Sequence, residues 1–189
     1  MIELPIYIEK NGNNSVMKYL ILFCLLCPRE NIFIDYPEPL YPEIAEYLDS
    51  EKERFLSEYR ENDRLSVTYQ SFHSRYESYL FNSFYDFHGA HPISQIKTFN
   101  YLNDEYIDLD ALFSEKDYFY FRDQAIRLLK PILEQRDMFV ESMFWEGIEP
   151  KPENYRNVIL CDRSYIIFFE HYQIAPYAAG ILQIEIKSL

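Results

Sequence analysis

His171-Tyr172-Gln173-Ile174-Ala175-Pro176-Tyr177-Ala178-Ala179-Gly180 is the stretch whose reading decides the fold. Pro176 fixes its own φ and drives Ala175 toward an extended shape, and Gly180 permits a left-handed residue. Ala178 and Ala179 are small enough for close packing. Strand patterns lie on both sides. Before the stretch come Asn157–Cys161, a turn at Asp162-Arg163-Ser164, and Tyr165–Glu170; after it comes Leu182–Ile186, with Leu182, Ile184 and Ile186 on one side. The stretch therefore reads as a rigid bend joining an aromatic hairpin to a last strand. Two uses fit it: a turn that plugs the core with Tyr172 and Tyr177, or a surface on which Tyr172, Pro176, Tyr177 and Gly180 meet a ligand.

Working upstream, Asn31–Tyr36 is a short strand stopped by Pro37 and Pro39. Pro42 opens an amphipathic helix over 42–60, with Ile44, Leu48, Phe55 and Tyr59 on one face. Residues 65–87 are strand-rich, and their alternation slips phase after Gln70, which predicts a bulge or turn near 70–75. His88-Gly89-Ala90-His91-Pro92 ends the strand Tyr79–Phe87. Gln95–Leu102 reaches the turn Asn103-Asp104-Glu105, and Tyr106–Phe113 leads from a short strand into a helical turn. From Asp117 a helical pattern runs to Trp145, with a kink or restart expected at Pro131 and a C-cap at Gly147. This is the pattern of an α+β fold, a single domain over 31–189 in which an antiparallel sheet packs against a few helices.

Residues 1–30 read differently. Met17-Lys18 precedes the apolar run Tyr19–Cys27, the layout of a secretory signal, although Leu26 stands where a small residue is wanted for cleavage. The run is too short to span a bilayer as a helix. The segment is read as signal-like, or as the result of a start placed upstream of Met17, and it points to a periplasmic or otherwise extracytoplasmic location; the alternative is that Tyr19–Leu26 is a buried strand or helix of a cytoplasmic protein.

Formal charge is −13, and it is unevenly spread: residues 30–150 hold 11 Lys/Arg against 25 Asp/Glu, a balance of −14, whereas residues 151–189 hold four of each. Such a surface repels phosphate backbones and attracts basic proteins, which excludes nucleic acid as the expected partner. With 18 Tyr and 15 Phe against one Trp, the aromatic load favours sheet faces and binding surfaces.

A search for chemistry finds little. Cys24 and Cys27 have the spacing of half a zinc site but no second pair completes it, so neither metal nor cofactor is expected. His88 and His91 on one turn supply too few ligands at awkward angles. There is no Gly-x-Ser-x-Gly elbow, phosphate loop or dinucleotide fingerprint, and Asp108 with Asp110 is one of many acidic pairs. No catalytic residue is assigned.

The series Glu153–Leu160, Tyr165–Phe169 and His171–Gly180 resembles the closing segment of the domain shared by RsiV-type anti-sigma factors and the N-terminal region of PdaC-type peptidoglycan deacetylases. Phe87-His88-Gly89-Ala90-His91-Pro92 resembles the Gly-Gly-Ala-His turn of that domain, with His88 in place of the first Gly. Asn100-Tyr101 through Asp108–Phe113 resembles the strand and short helix that follow. If the first turn position needs positive φ, His88 carries a cost that Gly avoids. The resemblance implies a non-catalytic, sensor-like domain outside the cytoplasm that binds lysozyme or a related basic protein. The alternatives are an accessory domain for cell-wall glycan (peptidoglycan), or a hydrolase of unknown type. On this reading the ligand-contacting residues are Tyr172, Pro176, Tyr177, Gly180, His88 and His91.

Overall fold

The computed structural model describes residues 6–9, 31–58, 60, 62–89 and 92–188. Met17–Cys27, Tyr59 and His91 lie outside the described residues. The fold is α+β, with nine strands and four α-helices among the described residues. They are β1 (Ile6–Glu9), β2 (Ile32–Asp35), α1 (Pro42–Glu58), β3 (Arg64–His73), β4 (Glu77–Asp86), β5 (Ile93–Leu102), β6 (Glu105–Tyr106), α2 (Leu109–Leu112), α3 (Glu115–Gln135), α4 (Glu141–Gly147), β7 (Val158–Leu160), β8 (Ser164–Phe169) and β9 (Leu182–Lys187). The first six strands pair in chain order, and β7, β8 and β9 form a second sheet.

The first sheet is mixed where an antiparallel one was expected. β2 pairs in parallel with both β1 and β3. For β2 and β3 the cause is α1: a helix inserted between them returns the chain to the same end of the sheet, which a tight hairpin cannot do. β3 runs on through His73, and the expected turn stands at residues 74–76, between β3 and β4.

The chain divides into two compact units, Met1–Gln70 with Phe81–Gln95, and Ser71–Leu80 with Ile96–Leu189. In the first, α1 buries Ile44, Leu48, Glu51 and Phe55 at a spacing of three and four residues, one stripe of the helix. Phe55 stacks on Phe87, and Tyr47 meets Phe81 edge to face. Glu51 is the anomaly in that stripe. Only 5% exposed, it accepts a 2.6 Å hydrogen bond from Tyr85 Oη. Arg54 lies 3.7 Å from the same carboxylate and over the Tyr85 ring. Burial, and then the bond to Glu51, push the Tyr85 phenol far above its ordinary range.

In the second unit the core gathers Phe113, Phe121, Phe144, Tyr155, Phe169 and Ile174, with α3 contributing Tyr118, Phe121, Ala125, Leu129 and Leu133. Ser114 and Asp117 form a capping box at the start of α3. The helix continues past Pro131, where a kink or a restart was expected, without a restart. Pro131 lies on the exposed side of α3, while Leu129 and Leu133 are buried, and that packing holds the helix together across the missing N–H donor.

Asn100, 1% exposed, does the work of a neighbouring strand for β7. Its Oδ1 accepts from Leu160 N–H at 2.9 Å and from Ser78 Oγ at 2.7 Å. Its Nδ2 donates to the Val158 carbonyl at 2.8 Å, and Thr98 Oγ1 accepts from Val158 N–H at 3.1 Å. One amide thus satisfies both a donor and an acceptor along the outer edge of β7.

Candidate functional site

The Tyr172–Gly180 bend lies wholly in the second unit, between β8 and β9, as a turn followed by a short 3-10 segment, Tyr177–Ala179. Its ends behave as the sequence predicts. Pro176 is extended at φ −56°, ψ 157°, and Gly180 sits at φ 73°, ψ −166°, a region open essentially to glycine alone. No atom lies within 4 Å of a Cβ built on Gly180, so conformation, not space, requires glycine there.

The bend does not plug the core with its tyrosines. Ile174 and Ala175 fill that role, at 0% and 3% exposure, whereas Tyr172 is 51% exposed. Tyr172 holds a φ of +63°, which is uncommon for a bulky side chain. Its ring leans on Tyr177 at 5.7 Å, and Tyr177 stacks on His171 with centroids 4.4 Å apart and 22° between planes. The result is a three-ring stack with its outermost ring in solvent.

Gln173 fixes this arrangement from below. Its Nε2 donates to the carbonyls of Gly147 and Asn154, and its Oε1 accepts from Glu170 N–H. The backbone of Gln173 comes so close to α4 that a Cβ on Gly147 would stand 2.0 Å from its carbonyl oxygen. Gly147 is the last residue of α4 rather than the C-cap expected of it; Ile148 is the cap, and glycine is needed at 147 because the bend occupies the space. Two segments 26 residues apart in sequence meet there, which no local pattern announces.

Glu170, at the start of the bend, pairs with Arg156 at 2.6 Å. Its Oε1 receives Asn157 Nδ2 and the Ile96 N–H, each at 3.4 Å. Asn157 is 2% exposed. Its Oδ1, like Nδ1 of His171, is buried with no hydrogen-bond partner among the described residues. Sequence reasoning passed over Asn157, Glu170 and Gln173; their only signal was polarity at the borders of apolar strands.

His88 belongs to the first unit. It takes φ +54°, so the turn position that resembled glycine does demand left-handed backbone. Two bonds offset the strain: His88 N–H donates to Asp86 Oδ1 at 3.0 Å, two residues away, and Nε2 lies 2.9 Å from the carbonyl of Asn62, 26 residues away. His91 is outside the described residues, so of the six sequence-derived site residues the structure brings Tyr172, Pro176, Tyr177 and Gly180 together on one bend. Among the described residues, no three or more His, Cys, Asp or Glu side chains gather as a metal-binding group, and no helix is long and apolar enough to cross a membrane.

Residues 30–188 match a family model described as "Protein of unknown function (DUF3298)". The chain is 24% identical over 174 residues to the peptidoglycan-N-acetylmuramic acid deacetylase PdaC of Bacillus subtilis (strain 168), a match covering 83% of this chain but only 37% of that protein. In fold it is similar to the crystal structure of a DUF3298 family protein from Pseudomonas aeruginosa PAO1, with a TM-score of 0.52 at 16% identity, over 80% of this chain and 68% of that one. A DUF3298 family member from Bacteroides fragilis NCTC 9343 aligns with a TM-score of 0.47 at 17% identity, over 77% and 62% of the two chains.

Proposed function

Because the chain belongs to the DUF3298 family of proteins of unknown function, we propose that it is a non-catalytic binding module of the cell envelope that contacts wall glycan through the Tyr172–Gly180 bend. The observation that carries this reading is the exposed Tyr172 ring, held in left-handed backbone on top of Tyr177 and His171. Strain kept at an exposed aromatic suits a contact surface, since ring faces stack on the C–H faces of sugars. Similarity to a peptidoglycan deacetylase supports the choice of ligand and an extracytoplasmic location. Retention on insoluble peptidoglycan tests it. Capture of the full chain should persist at high salt and fall for Tyr172→Ala; capture that salt abolishes, or that ignores Tyr172, counts against the reading.

A second reading rests on charge. The −14 balance over residues 30–150 favours encounter with a basic protein such as lysozyme, the partner implied by the resemblance to RsiV-type ectodomains. Here the predicted behaviour is opposite: a chromatographic shift with lysozyme at low salt that disappears at high salt. No shift at low salt removes this reading.

A further inference from the structure

We propose that β9 is a self-pairing edge: two copies of this chain join through it as antiparallel strands, with Glu185 of each copy opposite Lys187 of the other. This association is independent of the glycan reading above. Hydrogen-bond parity decides which groups of β9 face outward. Ser188 N–H donates to the Arg163 carbonyl at 3.1 Å, in a register that sets Ser164 opposite Lys187 and Ile166 opposite Glu185. Alternate residues of an antiparallel strand bond to the same neighbour. Leu182, Ile184 and Ile186 therefore direct their backbone groups at β8, while Gln183, Glu185 and Lys187 direct theirs away. Tyr120 Oη of α3, which donates to the Lys187 carbonyl at 3.2 Å, agrees with that parity.

The two edges of this sheet are finished differently. On β7 the outward N–H and C=O groups of Val158 and Leu160 are all met, by Thr98, Asn100 and Ser78. On β9 the Lys187 carbonyl alone of the outward groups has a partner among the described residues. Gln183, Glu185 and Lys187 are exposed, and an open edge is a template for another strand. Charge selects the occupant and the register. Pairing that sets Glu185 opposite Glu185, or Lys187 opposite Lys187, opposes like charges. Pairing that sets Glu185 opposite Lys187 makes two opposite-charge pairs by twofold symmetry, and each pair exchanges two backbone hydrogen bonds. The Lys187 carbonyl has two lone pairs and can accept alongside Tyr120. Ser164 Oγ, 2.8 Å from Glu185 Oε1, steadies the carboxylate.

Analytical ultracentrifugation of the full chain tests the proposal, carried to about 1 mM because so small an interface is weak. A monomer–dimer equilibrium should appear. Glu185→Lys sets lysine opposite lysine, and Lys187→Glu sets glutamate opposite glutamate. Each should raise the dimer dissociation constant about tenfold or more, although the two move net charge in opposite directions. The double variant, Glu185→Lys with Lys187→Glu, restores both pairs and should return to within about threefold of the parent. A chain that stays monomeric at every concentration, single variants that dimerise like the parent, or a double variant no better than the single ones overturns the proposal. Amide hydrogen exchange gives a reading free of substitutions: the Glu185 and Lys187 N–H groups should slow as the parent is concentrated, and exchange that ignores concentration overturns self-pairing. So does slowing that appears only when a β-strand peptide is added to a chain that stays monomeric, which would give the edge to another partner.

Discussion

The His88 turn and the Tyr172 bend both hold a non-glycine residue in left-handed backbone, at φ 54° and 63°, and they are supported in different ways. Around His88 the support comes from the residue's own hydrogen bonds: Asp86, two residues away, accepts its backbone N–H, and its ring Nε2 lies 2.9 Å from the Asn62 carbonyl, 26 residues away. Elsewhere the chain gives this conformation to Asn62, Asn103, Asp104 and Asp137, residue types that tolerate it. Tyrosine has no such tolerance. Tyr172 is kept there by long-range packing, with Gln173 clamped against Gly147 and Asn154. A turn that repairs its own strain needs no other purpose. A bend that relies on distant segments to keep an exposed ring in place fits a surface selected for contact.

The comparison can be broken most forcefully at Gly147. A Cβ there meets backbone 2.0 Å away, so Gly147→Ala should cost about 3 kcal/mol or more, the cost of overpacking against a main chain that cannot yield. Chemical denaturation followed by Trp145 fluorescence reads the bend-bearing unit directly, because Trp145 is the single tryptophan and lies on α4. A loss below about 1 kcal/mol would mean that the bend is not clamped. Gly180→Ala comes next, at about 1–3 kcal/mol, from conformation alone, since nothing crowds the new methyl group.

His88→Gly sharpens the contrast from the other side. It relieves left-handed strain but removes the ring's bond to Asn62, so the net change read from the denaturation midpoint should stay within about 1 kcal/mol, with no effect on glycan capture. Tyr172→Gly relieves the same backbone strain but should abolish capture. Near neutral pH the smallest effect is that of protonation. Burial first raises the phenols of Tyr47 and Tyr85 in one unit and Tyr155 in the other above the ordinary value of 10.0. Folded chains hold these protons while unfolded chains lose them above about pH 10, so the contribution is complete below that pH and declines as pH rises beyond it. Stability that stays level between pH 10 and 12 would contradict the burial of these hydroxyl groups.

Much of the bend was legible in the sequence, because its determinants are local. Pro176 and Gly180 are backbone instructions, and the alternation of Leu182, Ile184 and Ile186 marks a half-buried strand. The left-handed position at His88 was legible through the resemblance. What escaped was set by distant partners. Glu51 falls on the apolar stripe of α1, and it takes the distant Tyr85, together with Arg54, to explain why a carboxylate is tolerated there. Gly147 looked like a helix cap, but its role depends on Gln173, and the continuity of α3 through Pro131 depends on the buried leucines on either side. Of the two uses the sequence left open for the tyrosines of the bend, the core plug fails: Ile174 and Ala175 take the interior and leave Tyr172 outside.

The most direct test is a side-by-side binding isotherm on purified peptidoglycan at high salt for the full chain, Tyr172→Ala and His88→Ala. The account predicts that Tyr172→Ala weakens binding by tenfold or more, the order of about 1.4 kcal/mol expected of a lost stacking ring, while His88→Ala binds like the parent. Equal affinity of all three, with the Tyr172 variant still folded, would contradict it.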